Sequence, residues 1–163
     1  FMQYKSEQIE DKKPVDTKVF LERAARYCAG AEHCVADVAQ LLARLGANDV
    51  QIAEVIGILQ KQQYLDEQRY CRALVHDKVA YQGWGRVKIK AALYAKKIPN
   101  LLIENALNEI NEEEYHAVLY RVLSTKHRTL KRDAMAREKL IRFCLQRGFT
   151  YDEIESTLRK FTN

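Results

Sequence analysis

The sequence repeats itself every 51 residues, and that period leaves few folds open to it. Val38, Leu41, Leu42 and Leu45 recur as Ile89, Ala92, Leu93 and Lys96, and again as Leu140, Phe143, Cys144 and Arg147. The spacing i, i+3, i+4, i+7 is one face of a helix, and its first three positions stay apolar in every copy. A second set follows the same rule. Ile52, Val55, Ile56 and Leu59 return as Ile103, Ala106, Leu107 and Ile110, then as Ile154, Thr157, Leu158 and Phe161.

The junction between these two helices repeats as well. Leu45-Gly46-Ala47-Asn48-Asp49 corresponds to Lys96-Lys97-Ile98-Pro99-Asn100 and to Arg147-Gly148-Phe149-Thr150-Tyr151. Gly46 and Gly148 suit the left-handed residue that ends a helix. Asn48 and Thr150 suit N-caps, and Pro99 suits the first turn of the helix after it. A further helix precedes each pair, at about 17–29, 66–81 and 113–128, with a register blurred by unequal loops. The reading is therefore all-α: three tandem three-helix repeats, 17–62, 66–111 and 113–162, forming an elongated, curved body. Residues 1–16, with Asp11-Lys12-Lys13-Pro14, read as a flexible N-terminal tail.

Only two prolines and six glycines occur in 163 residues, which favours helices over strands. No stretch approaches the roughly 20 apolar residues of a membrane span. Cys28, Cys34, Cys71 and Cys144 form no CxxC pair and read as small buried residues of a reducing compartment. His33, His76, His116 and His127 are isolated. Neither GxxxxGK[ST], GxGxxG nor HExxH is present. No catalytic group, metal site or cofactor is expected.

Charge is uneven along the chain. Residues 66–111 carry 8 basic and 5 acidic side chains and residues 112–163 carry 11 and 8, whereas residues 1–65 carry 8 and 9. Six basic residues and no acid lie between Lys78 and Lys97, and nine basic residues lie between Arg121 and Arg147. Arg86 with Arg137, Lys88 with Lys139 and Lys96 with Arg147 obey the repeat period. A basic face of this kind fits nucleic-acid phosphate or an acidic protein surface, and equally a solvated helix face. Trp84, the only tryptophan, sits between Gly83 and Gly85 directly before the basic helix. It is placed either to meet a partner or to anchor its loop on its own repeat. Trp84, Arg86, Lys88, Lys90, Lys97, Arg128, Lys131, Arg132, Arg137 and Lys139 are the expected partner-binding residues. Most of these side chains are expected to be solvent-facing and tolerant of charge reversal.

Three segments carry a resemblance to a known family. Tyr64-Leu65-Asp66-Glu67-Gln68-Arg69-Tyr70 through Val75 is similar to a YLDDxRFAxxYV region. Gly83-Trp84-Gly85-Arg86-Val87-Lys88-Ile89, with Leu93 and Lys96-Lys97-Ile98, resembles GxGxxRIxxxLxxKGI. Arg142-Phe143-Cys144-Leu145-Gln146-Arg147-Gly148-Phe149, with Asp152 and Ile154, resembles RFLxxRGFxxDxI. These are motifs of the bacterial RecX regulatory proteins, and the likeness spans about residues 17–161. It is weakest where His33-Cys34-Val35-Ala36-Asp37-Val38 replaces an RSxxEL-like stretch. The resemblance implies a cytoplasmic protein that binds the RecA recombinase filament on single-stranded DNA and inhibits recombinase activity, and a monomer is expected. A general nucleic-acid-binding helical module, competing for DNA, is the alternative.

Overall fold

The computed structural model describes residues 15–162, so the expected tail falls almost wholly outside the described residues. Nine helices and no strands occur among them. They are α1 (Thr17–Gly30), α2 (Val35–Arg44), α3 (Asp49–Lys61), α4 (Glu67–Ala80), α5 (Arg86–Ala95), α6 (Asn100–Asn108), α7 (Glu112–Thr129), α8 (Ala136–Gln146) and α9 (Tyr151–Thr162). Helices α3, α6 and α9 begin at residues 49, 100 and 151, each 51 after the last. Helices α1, α4 and α7 keep no such spacing, because the loops after them differ in length.

Local chemistry sets the ends of these helices. The Asn48 side chain accepts from Gln51 N at 2.8 Å while Gln51 Oε1 accepts from Asn48 N at 3.1 Å, closing a capping box on α3. Thr150 and Glu153 do the same for α9. Asp66 caps α4 by accepting from Gln68 N and Arg69 N. Helix α7 opens on Glu112, Glu113 and Glu114 and closes on Lys126, His127 and Arg128, so charge complements its dipole at both ends. Pro99 stands at the N-cap of α6 and not inside its first turn. Its extended ψ of 137° aims its carbonyl at Leu102 N and Ile103 N, and an N-cap needs no N–H of its own.

The helices pack in threes: α1 with α2 and α3, α4 with α5 and α6, α7 with α8 and α9. The repeat positions supply the cores. Val38, Ile89 and Leu140 are buried, as are Leu42, Leu93 and Cys144. Thr157, the one polar member of the second set, is buried too, and its Oγ1 donates to Glu153 O at 2.9 Å. The second and third units share one continuous core, in which Tyr115, Phe149, Ile89 and Leu123 are almost wholly enclosed. The first unit keeps a separate core around Phe20, Val38, Leu42 and Val55. It reaches its neighbour through Cys34 and Ala36, which join the larger core. Helix α4 also packs on α7, so the units follow one another along an elongated body.

Candidate partner-binding site

The loop from Tyr81 to Gly85 enters α5 through a tight fold. Gly83 adopts φ +64°, and Trp84 N donates to Lys78 O at 2.8 Å. Backbone of this loop pairs with the junction of the third unit: Gly85 N donates to Arg147 O at 2.8 Å and Val87 N to Gly148 O at 3.0 Å. The Arg147 guanidinium returns the contact by donating to Gln82 O at 2.6 Å. Arg121 donates to Ala80 O at 3.0 Å. A methyl on Gly85 or on Gly148 would collide with the opposing backbone, so both positions exclude any larger residue.

Arg86 is not the solvated side chain that its period implies. Its backbone N–H donates to Tyr115 Oη at 3.1 Å, and its guanidinium lies 4.1 Å from the Tyr115 ring centroid. The same guanidinium pairs with Glu112 and stands 3.8 Å from Glu153 Oε1. Tyr115 in turn donates to Glu153 Oε2 at 3.3 Å. Burial pushes the Tyr115 phenol up to about 12, so it stays a neutral donor. Arg86 therefore ties α5 to α7 and α9, and its charge is spent inside the molecule.

The other expected residues fall into three places. Lys88 Nζ lies 4.2 Å from the Trp84 ring centroid and Lys78 Nζ lies 4.5 Å from it, with Trp84 itself half-buried against the shared core. Lys90 pairs with Glu104 at 2.6 Å, Arg137 with Glu155 at 2.5 Å and Lys139 with Asp133 at 2.5 Å. Arg128, Lys131 and Arg132 are exposed at the end of α7 and in the loop after it, and among the described residues no carboxylate pairs with them. Lys97 is exposed beside the seam between the first and second units.

That seam is built from ions. Glu32 pairs with Arg69 at 2.5 Å, Asp37 with Lys96 at 2.6 Å, and Glu67 Oε2 accepts from Val35 N at 3.1 Å. Burial raises the Glu67 carboxyl despite the Val35 N–H. Burial also pushes the Cys71 and Cys144 thiols up to about 11, as expected of packing residues and not of reactive thiols.

Sequence reasoning missed one constellation altogether. Phe143 on α8 has Lys126 Nζ at 4.9 Å and the Arg147 guanidinium at 5.0 Å from its ring centroid. The signal was an aromatic in the middle of a basic run, at a position the repeat had already assigned to the core.

Among the described residues there is no group of three or more His, Cys, Asp and Glu that could hold a metal, and no helix long and apolar enough to cross a membrane. What remains is a helical repeat protein whose polar chemistry lies in its inter-unit seams and its basic surface. Comparison with known proteins gives the family. Residues 66–107 match the profile of the second three-helix domain of RecX, and residues 112–158 that of the third. The chain is 30% identical over 138 residues to the regulatory protein RecX of Herminiimonas arsenicoxydans, covering 84% of this chain and 89% of that one. It is 29% identical over 126 residues to RecX of Clostridium perfringens, of which it spans 58%. The fold is shared with the crystal structure of RecX from Lactobacillus salivarius, with a TM-score of 0.81 at 19% identity, over 88% of this chain and 95% of that one. The chain belongs to the RecX family of regulatory proteins.

Proposed function

We propose that this protein binds RecA recombinase filaments on single-stranded DNA and inhibits ATP hydrolysis, strand exchange and filament extension, and so regulates DNA repair and recombination in the cytoplasm. Membership of the RecX family carries this reading. An elongated body of linked units is compatible with it, because such bodies offer long surfaces to large partners. Of the ten expected contact residues, Arg128, Lys131 and Arg132 are the ones best placed to meet acidic partner surface, being exposed and unneutralised. Lys88, Lys90, Lys97, Arg137 and Lys139 are weaker contributors, and the protein acts as a monomer without cofactor or catalytic turnover.

The test is recombinase ATPase on single-stranded DNA, titrated with this protein and with its Arg128→Glu/Lys131→Glu/Arg132→Glu variant. The parent inhibits. The folded variant requires at least about tenfold more protein for the same inhibition, which needs only ~1.4 kcal/mol. A parent without effect on the ATPase would sink the reading. A variant as potent as the parent would move the contact surface elsewhere.

A further inference from the structure

Two neighbouring clefts open at the seam between the second and third units, and they share Tyr81, Gln82, Phe143 and Arg147. One is completed by Trp84, Lys88 and Gln146, the other by Arg121, Val122 and Lys126 among others. No carboxylate lines either cleft. Among the described residues no carboxylate pairs with Lys78, Lys88, Arg121, Lys126 or Arg147 either. That contrasts with Arg86, Lys90, Lys96, Arg137 and Lys139, each of which has its acid. Four of these five cations are half-buried, where a charge without a carboxylate is costly, and only Arg121 and Arg147 have a backbone carbonyl, of Ala80 and Gln82, to donate to. Aromatic rings hold them there: Trp84 beneath Lys78 and Lys88, Phe143 beneath Lys126 and Arg147.

We propose that this pair of clefts is a binding site for single-stranded DNA, with phosphates on the ring-held cations and a base stacked on Tyr81. Tyr81 is the exposed aromatic of the site, 78% accessible, and it borders both clefts, so its ring is a platform at the midpoint of the track. The cations are arranged along two contiguous grooves and not at one point, which matches an anion that repeats along a chain. The Gln82 and Gln146 side chains at the rim offer amides to base edges. An acidic peptide would satisfy the charge, but it would leave the exposed tyrosine face without a partner. A duplex would satisfy the charge too, but it keeps its bases stacked on one another and away from Tyr81. The recombinase filament supplies the reason to choose DNA over RNA. In every other respect the inference stands apart from that reading, because its test contains no recombinase.

Trp84 is the only tryptophan and lies in the site, so its fluorescence reports binding directly. The probe is an oligothymidylate of about 12 nucleotides, within the usual footprint of a single-strand site. Saturable quenching is expected, with affinity falling as salt rises at about −0.7 in log–log slope per phosphate engaged. Lys88→Gln/Lys126→Gln should bind about tenfold more weakly, with a slope shallower by about 1.4, because two phosphates lose their cations. Tyr81→Ala should bind about fivefold or more weakly with its slope unchanged, because it removes stacking and no charge. Circular dichroism checks that both variants remain helical. Three results would each overturn the proposal: absence of saturable quenching by the parent, folded variants that bind as the parent does, or equal binding of poly-L-glutamate or of the duplex oligonucleotide. Each of them leaves the recombinase assay to be decided on its own terms.

Discussion

Gly85 and Gly148 face each other across the seam of the second and third units, Gly85 against the backbone of Gly148 and Phe149 and Gly148 against Lys88, so close that neither has room for a side chain. The contact lets Gly85 N reach Arg147 O and Val87 N reach Gly148 O. It also sets the distance at which Arg86 can meet Tyr115, Glu112 and Glu153.

Alanine at these positions therefore separates two kinds of cost. Gly46→Ala meets open space at φ +95°, so only backbone strain opposes it, on the order of 1–2 kcal/mol. Gly85→Ala has an ordinary φ of −85°, so its whole cost is collision, ~2–3 kcal/mol. Gly148→Ala suffers both and should be the worst of the three. Urea denaturation ranks them, and a Gly148→Ala no more destabilised than Gly46→Ala would disprove the tight seam.

Lys97 is the converse case. It adopts φ +58°, at the repeat position that Gly46 and Gly148 fill in the other units. A left-handed lysine costs roughly 1–2 kcal/mol, part of which glycine returns as unfolded-state entropy. Lys97→Gly should stabilise the protein by ~0.5–1 kcal/mol and raise its Tm by about 2 °C. A lowered Tm would show that the lysine side chain does something there that outweighs its backbone.

Arg86→Glu should damage the fold, unlike the reversal of a free surface lysine. It sets a new carboxylate against Glu112 and Glu153 and strips the cation from the Tyr115 face. The expected loss is about 2–4 kcal/mol. Lys90→Glu, on an exposed pair, should lose about 1 kcal/mol or less. Equal denaturation midpoints for the two variants would contradict this account.

Asp37 makes the seam of the first unit sensitive to acid. Burial alone would raise its carboxyl, but the Lys96 ammonium and the Cys34 donors outweigh that and hold it below the ordinary aspartate value of 3.8. A depressed folded pKa means that the contribution is complete above 3.8 and disappears as pH falls through the lower folded value. Stability should thus decline below about pH 4, and the decline should be less steep in Asp37→Asn. Parallel pH curves for the two proteins would remove Asp37 from the explanation.

Much of this molecule was legible in the order of its residues. The helix faces, the Gly46 and Gly148 stops and the Asn48 and Thr150 caps follow from local chemistry repeated three times. The fate of the charges was not. Arg86 and Arg137 share a repeat position, yet Arg137 pairs with Glu155 on α9 whereas Arg86 crosses to another unit. In the second unit Lys90 has already taken Glu104, which is the period-mate of Glu155. Partners 26 and 67 residues away cannot be assigned from a helical wheel. Nor could the pattern show that Cys34 leaves its own unit and enters the next core.

The break in the core has a consequence for how a partner is held. The second and third units share one apolar core, whereas the first keeps its own and is joined through Cys34 and Ala36, the ion pairs Glu32–Arg69 and Asp37–Lys96, and the short link between α3 and α4. A partner that grips that pair of units keeps the first unit tethered at high local concentration. Its own contact is then an intramolecular event, and two weak footholds multiply into one durable grip.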